Sequence, residues 1–309
     1  MGPAGVLTGA PSRLRLATRA SPLALWQAHH VAGLLARAHA GLVVQVVGTD
    51  TLGDRRLDLP LSEIGGKGVF ATEVQRLVLE GVADIAVHSA KDLPAVTAEG
   101  LALAAVPARG DARDALVGGT LDDLAPGAVV ATGSQRRQVQ LAELRPDLRF
   151  VGLRGNMATR LARVGTEVDG TVVDAVVVAA VALERLDLDE EIDEVLATDV
   201  LLPQVGQGAL AVEARAGDTA VADLLAPIQD PASRRRLDAE RAFLAELGGD
   251  CDLPAGAHAE VLDAEGTLRV RALLADPSGR VHRAGATGID PDGLGASLAR
   301  TLRLAAAAR

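Results

Sequence analysis

Residues 84–94 read Asp84-Ile85-Ala86-Val87-His88-Ser89-Ala90-Lys91-Asp92-Leu93-Pro94. The first five form a short apolar run of the kind expected of a buried parallel strand. Ser89, Lys91 and Asp92 end it, and Pro94 blocks a simple continuation. In open α/β sheets, chemistry sits just past the carboxyl ends of strands. A lysine and an aspartate there mark a candidate site.

Lysine usage singles out the same place. Of 31 Lys and Arg, two are lysine, Lys67 and Lys91. They lie in the two most motif-like stretches, Gly65-Gly66-Lys67-Gly68 and Ser89-Ala90-Lys91-Asp92. An ammonium and a planar guanidinium are not interchangeable at a shaped site. The glycine-rich stretch around Lys67 lacks the spacing of a phosphate-binding P-loop and does not follow a strand.

The bulk numbers bound the partners. A chain of 309 residues, 49% hydrophobic and 23% charged, can bury two or three cores. A net charge of −10 and 1% aromatics argue against nucleic-acid binding by charge or base stacking. An anionic ligand then needs a local basic cluster inside an acidic envelope. The one cysteine, Cys251, leaves no internal disulfide framework or cysteine zinc site. No apolar run approaches a membrane span of ~20 residues. Residues 1–12 have neither a basic start nor an apolar h-region, so a cytoplasmic protein with no membrane partner and no resident metal is expected.

Outward from the central stretch, strands are expected over 13–18, 42–47, 84–88 and 101–106. Helices are expected over 21–39, started by Ser21-Pro22, and over 69–80. Residues 49–68 are too long and polar for a simple connector and suggest a functional lid or a disordered loop. Residues 109–114 read as a crossing to a second lobe. That lobe has strands at 128–131, 149–153 and 174–180, a helix opening at Gln135-Arg136-Arg137, and another carrying Arg160 and Arg163. Asp174-Ala-Val-Val-Val echoes Asp84-Ile-Ala-Val: each is a buried strand entered from an aspartate. Residues 201–209 read as the return crossing, and 209–214 as a strand back in the first lobe. A helix over 232–247, alternating strands at 258–263, 268–275 and 280–286, and a helix over 294–307 make a small α+β domain. The expected fold is α/β: two similar lobes plus a C-terminal α+β domain.

Arginines gather where strands end: Arg19, Arg136, Arg137, Arg154 and Arg160. Several fall at helix starts, where the dipole favours anions over cations. As a set they point to a polyanion site of carboxylates or phosphates, left open by these residues alone. Asp92 beside them suits either a structural partner of Lys91 or a general acid or charge stabiliser. His88 at a strand end reads as structural. Cys251, between Asp250 and Asp252, is a poor nucleophile but an available attachment point.

Together these stretches resemble hydroxymethylbilane synthase, the porphobilinogen deaminase family. The resemblance is carried by residues 16–28 (Leu-Ala-Thr-Arg-Ala-Ser-Pro-Leu-Ala-Leu-Trp-Gln-Ala), 65–70, 84–94, Arg136-Arg137, Leu153-Arg154-Gly155-Asn156, 203–209 and 240–254. They fall in family order over nearly the whole chain.

The resemblance implies two periplasmic-binding-protein-like (type II) lobes, residues 12–108 with 208–227 and 109–207, and a C-terminal domain, 231–309, carrying the cofactor cysteine. It implies a transferase of tetrapyrrole and heme biosynthesis. Four porphobilinogens would condense head to tail with loss of ammonia, and hydrolysis would free hydroxymethylbilane. One dipyrromethane cofactor per chain would be thioether-linked to Cys251. Asp92 matches the catalytic aspartate. Cofactor contacts would come from Lys91, Ser89, Thr132, Ser134, Arg136, Arg137, Arg154 and Gly155. Substrate contacts would come from Arg19, Ser21, Arg154, Arg160, Arg185, Gln207 and Lys67. A monomer is expected. Glu63, Gly133 and Asp250 depart from the family pattern. The rival from another class is a non-enzymatic two-lobed binding protein for a small polycarboxylate, which would need neither Asp92 nor Cys251.

Overall fold

The structure, a computed structural model, describes residues 13–49, 71–168, 170–248 and 253–308. Two five-stranded sheets and a three-stranded sheet organise them, with a two-stranded antiparallel ribbon of β8 (Glu167–Val168) and β9 (Thr171–Val172). In the first sheet β1 (Arg13–Arg19) lies parallel to β2 (Val43–Thr49) and to β3 (Ile85–Ser89). On the other side of β3 lies β12 (Leu210–Arg215), antiparallel, and then β4 (Leu101–Ala105). The order is β2-β1-β3-β12-β4.

The second sheet repeats this plan. Its first and second strands are β6 (Val129–Ala131) and β7 (Arg149–Val151), and its third is β10 (Ala175–Ala179). Beside β10 lies antiparallel β5 (Asp114–Val117), and then β11 (Glu194–Leu196). The order β7-β6-β10-β5-β11 is again second, first, third, crossing strand, fourth. In each sheet the antiparallel strand comes directly from a crossing between the lobes. These are the two α/β lobes expected.

The echo noticed in sequence has a physical cause. Asp84 accepts a hydrogen bond from the Arg15 backbone N–H at 2.8 Å. Asp174 accepts one from the Val129 N–H at 2.7 Å. In each lobe the aspartate before the third strand satisfies a backbone donor in the first strand. Asp84 also takes Arg15 Nη2 at 2.6 Å.

The third strands are buried, Ile85 and Ala86 in one lobe and all of β10 in the other. In the first lobe α1 (Pro22–Ala38), capped by Ser21, packs Ala28, Val31 and Leu35 onto Leu14, Leu16 and Val87. α2 (Thr72–Leu79) covers the other face with Val74 and Val78. In the second lobe α3 (Gln135–Leu144) contributes Leu141 to a core with Val130 and Val177. The C-terminal unit sets β13 (Ala255–Val261), β14 (Leu268–Ala275) and β15 (Val281–Gly288) antiparallel. Two helices, Pro231–Glu246 and Pro291–Ala307, bury Phe243, Leu298 and Leu302 against that sheet.

Three expectations need correction. Residues 109–114 are not crossing throughout, since Asp114 opens the buried strand β5. Four residues buried on both faces show no alternation to read. β11 and the helix Thr219–Leu225 are likewise additions. The helix expected to carry Arg160 and Arg163 spans Met157–Leu161, so Arg163 lies in the turn after it. The 49–68 loop, Lys67 and Cys251 lie outside the described residues apart from Thr49.

Candidate active site

The central stretch leaves the sheet as the sequence suggests. β3 ends at Ser89, and Ala90–Asp92 forms one 3₁₀ turn. That turn puts Lys91 and Asp92 past the carboxyl end of a central strand. Arg19 ends the neighbouring strand β1, with Nη1 4.0 Å from Asp92 Oδ2. Both side chains keep contact with solvent, as a site open to substrate requires.

The second lobe brings three more cations to this place. Arg160 lies close enough to Arg137, Asp92, Arg154 and Arg19 to feel each of them. Burial first, and then Arg137, lower its pKa. Burial pulls Lys91 down to about 8, helped by Arg137 and Arg160 and opposed by Asp92 and Asp114. Arg19, Lys91 and Arg160 therefore gather beside Asp92 from both lobes, with Arg137 and Arg154 next to Arg160. Arg154 Nη1 is buried and has no hydrogen-bond partner among the described residues. A buried donor of this kind calls for an acceptor. Clustered cations with unused N–H donors suit a ligand bearing several carboxylates.

Local structure fixes the rest. Gly155 has φ +102°, and a Cβ there would lie 2.8 Å from Thr159 Cγ2, so only glycine fits. Its carbonyl accepts Arg160 Nε at 2.8 Å, which aims that guanidinium. Asn156 caps the short helix by accepting from the Thr159 N–H. Thr132 Oγ1 accepts from the Ser134 N–H at 3.2 Å. Ser134 occupies the cap position of α3 without a side-chain capping bond, so its hydroxyl is not used there. Ser21 accepts from Ala24 N–H, and Ser89 pairs with Leu210 across the sheet.

The anion expected at the start of α3 is partly the protein's own. Asp114 is fully buried, and it accepts Arg136 Nη2 at 2.7 Å and Arg137 Nη2 at 2.7 Å. Those two arginines hold its carboxyl well below the usual range despite burial, which acts the other way. Sequence reading missed this residue because Arg-Gly-Asp-Ala-Arg-Asp looked like a polar break. Its place as first residue of an all-apolar Ala-Leu-Val strand was the available signal.

Arg185 and Gln207 are buried connectors in this structure. Arg185 Nη2 donates to the Gly208 carbonyl at 2.8 Å, and its guanidinium lies 5.5 Å from the Trp26 ring centre. Burial lowers its pKa to about 10. Gln207 Nε2 donates to the Ala112 carbonyl at 2.7 Å and to Asp114 at 2.9 Å. His88 is structural: it lies buried with Nε2 3.2 Å from Glu213. Among the described residues no three His, Cys, Asp or Glu are placed to hold a metal. No helix there is long and apolar enough to cross a membrane.

Comparison with known proteins gives this geometry its context. The family description "porphobilinogen deaminase, dipyromethane cofactor binding domain" matches residues 14–223. The chain belongs to the porphobilinogen deaminase family. The family's C-terminal domain matches residues 235–303. The porphobilinogen deaminase of Roseiflexus castenholzii is 48% identical over 295 residues, covering 94% of this chain and 95% of that protein. That of Syntrophotalea carbinolica is 46% identical over 272 residues, covering 87% and 84%. Among solved structures, the methionine-binding protein MetQ is similar at TM-score 0.42 and 11% identity, covering 71% of this chain and 89% of that one. An ancestral cationic amino acid binding protein is similar at TM-score 0.42 and 17% identity, covering 69% and 86%.

Proposed function

We propose that the cluster of Arg19, Lys91, Arg137, Arg154 and Arg160 with Asp92 is where this chain polymerises porphobilinogen. As a porphobilinogen deaminase family member it is a transferase of tetrapyrrole biosynthesis with a dipyrromethane cofactor. Each pyrrole unit carries an acetate and a propionate, so the growing chain is a polycarboxylate. The bound cofactor supplies the pyrrole carbon on which growth begins.

The side chains divide the work. Arg154 and Arg160, with Arg19 across from them, bind and orient carboxylates, which fixes the reacting carbons near each other. Lys91 and Arg137 add charge from the two lobes. Thr132, Ser134, Ser21 and Ser89 supply hydroxyl partners, and Lys67 a further cation from the 49–68 loop. As ammonia leaves the aminomethyl group, positive charge develops on the substrate. The fixed carboxylate of Asp92 stabilises it and can hold the proton that moves with the amine. Cys251 carries the cofactor through a thioether, one per chain. The units we infer are residues 12–108 with 208–227, 109–207, and 231–309. We infer a cytoplasmic monomer without nucleic-acid or membrane partners.

The gathering of cations from two lobes around one carboxylate supports this reading above all else. Intact-mass measurement tests it. Protein expressed with substrate available should carry a covalent oligopyrrole adduct, and Cys251→Ala should have the bare polypeptide mass. Bare mass in both would remove the cofactor claim.

A further inference from the structure

Asp114 is more than a salt-bridge partner for two arginines. It opens β5 at the inner end of the first crossing, with no exposed surface. Its carboxylate receives Arg136 Nη2 at 2.7 Å, Arg137 Nε at 3.1 Å and Nη2 at 2.7 Å, and Gln207 Nε2 at 2.9 Å. Gln207 belongs to the second crossing. Its Oε1 lies 3.4 Å from Lys91 Nζ, on the first lobe.

The amide cannot be turned round without loss. Its nitrogen donates both to Asp114 and to the Ala112 carbonyl, so the oxygen is left to face Lys91. One buried carboxylate is thus joined directly to two guanidiniums of the second lobe and through one amide to the ammonium of the first. The connection passes through both crossings.

We propose that Asp114 is a positioning residue for polycarboxylate binding: it holds Arg137 directly and, through Gln207, Lys91 in place against the oligopyrrole. This rests on the function proposed above. The charged groups around Lys91 are Arg137 and Arg160, which disfavour its protonated form, and Asp92 and Asp114, which favour it. Asp92 is committed to the reacting centre and changes its surroundings as substrate enters. Asp114 is sealed from solvent and remains a constant counter-charge. Without it, Lys91 keeps its two cationic neighbours and loses one of two acids. Its protonated fraction then falls at lower pH. Arg137 loses two of its three hydrogen bonds, keeping the one to the Val177 carbonyl.

The test uses holoenzyme, with adduct stoichiometry checked by intact mass. Lys67 and Lys91 are the two lysines of the chain, so lysine labelled with ¹³C at Cε gives two resonances. Their titration reads the charge of Lys91 directly. Asp114→Asn should move the Lys91 midpoint down by at least about half a pH unit, consistent with loss of one nearby charge. It should raise KM for porphobilinogen about tenfold or more while changing kcat less than about threefold, the pattern of lost ground-state binding. The alkaline limb of kcat/KM should move the same way. Gln207→Met leaves both Asp114–arginine pairs in place and should shift the Lys91 midpoint and KM in the same direction.

A role in folding alone would lower yield and Tm and leave midpoint and KM unchanged. That result in folded Asp114→Asn overturns the proposal. Should Asp114→Asn not fold, an unmoved midpoint and KM in Gln207→Met overturns it equally. Wild type that bears no adduct and consumes no porphobilinogen overturns the function itself. Wild-type turnover with unmoved variants overturns only the role of Asp114.

Discussion

A single aspartate, one 3₁₀ turn past β3, sits in a cluster of five cations from two lobes. Asp92 is within 4.0 Å of Arg19, so its charge is partly offset before substrate arrives. In the function proposed above, it acts when positive charge develops on the bound pyrrole, which is the condition for transition-state stabilisation. Asp92→Asn keeps shape and hydrogen-bonding capacity but removes the charge. Its single-turnover ammonia release should fall ~10²–10³-fold, the range for losing one preorganised electrostatic group, while adduct formation and Tm hold. Near-normal release would take Asp92 out of this role. The candidate site was legible at this scale wherever a residue type was scarce or out of place: lysines in an arginine-rich chain, arginines at helix starts. Glu240 and the inward turn of Arg136 were not legible, because a buried ion pair leaves no periodic trace in sequence, and Asp114 showed only by its place at the head of an apolar strand. Gly133 illustrates the same limit. A Cβ there would stand 2.7 Å from the Leu153 carbonyl oxygen, a contact no local pattern announces.

Strands and helices were legible where burial on one face imposes a period, as in α1, or where an apolar run is long enough, as in β10. β5 and β11, at four and three residues, fall below that length. The aspartates before β3 and β10 were visible as an echo, and the structure gives each a backbone donor to satisfy. Their contributions should differ. Asp84 also holds the Arg15 guanidinium at 3.1 and 2.6 Å, whereas the capping contact of Asp174 is the Val129 N–H. Asp84→Ala should cost about 1–3 kcal/mol and Asp174→Ala about 1 kcal/mol by chemical denaturation. Burial raises the Asp84 pKa, but the hydrogen bonds and charge of Arg15 outweigh it and the net shift is downward. A carboxyl with a depressed folded pKa stabilises fully above its unfolded value, about 3.9, and loses that contribution as pH falls through the folded value. Wild-type and Asp84→Ala stabilities should therefore converge on acidification. A gap that stays constant from neutral pH to pH ~2 would refute this account.

The two crossings and the C-terminal sheet meet at Glu240, on the helix Pro231–Glu246 of the C-terminal unit. It accepts Arg109 Nη1 at 2.7 Å and Nη2 at 3.1 Å from the first crossing, Gly206 N–H at 2.7 Å from the second, and Ala259 N–H at 2.9 Å from β13. Arg109 and Glu240 are both buried. Removing one partner of such a pair leaves the other charge uncompensated and costs ~3–5 kcal/mol. Glu240→Gln should lower Tm and split the calorimetric transition, with the C-terminal unit uncoupled from the lobes. A single unshifted transition would show that the units are held together elsewhere.

β12 lies between β3 and β4 but is encoded after the whole second lobe. Until the ribosome has passed Leu210, one edge of β3 has no strand to pair with, and β4 has no neighbour. At about 5–20 residues per second, that interval is on the order of ten seconds. A nascent chain stalled anywhere in the second lobe carries an open, apolar sheet edge of the kind that seeds aggregation. Completion of the first lobe is thus deferred until the second has emerged, so vectorial synthesis cannot deliver the two lobes one after the other as finished units.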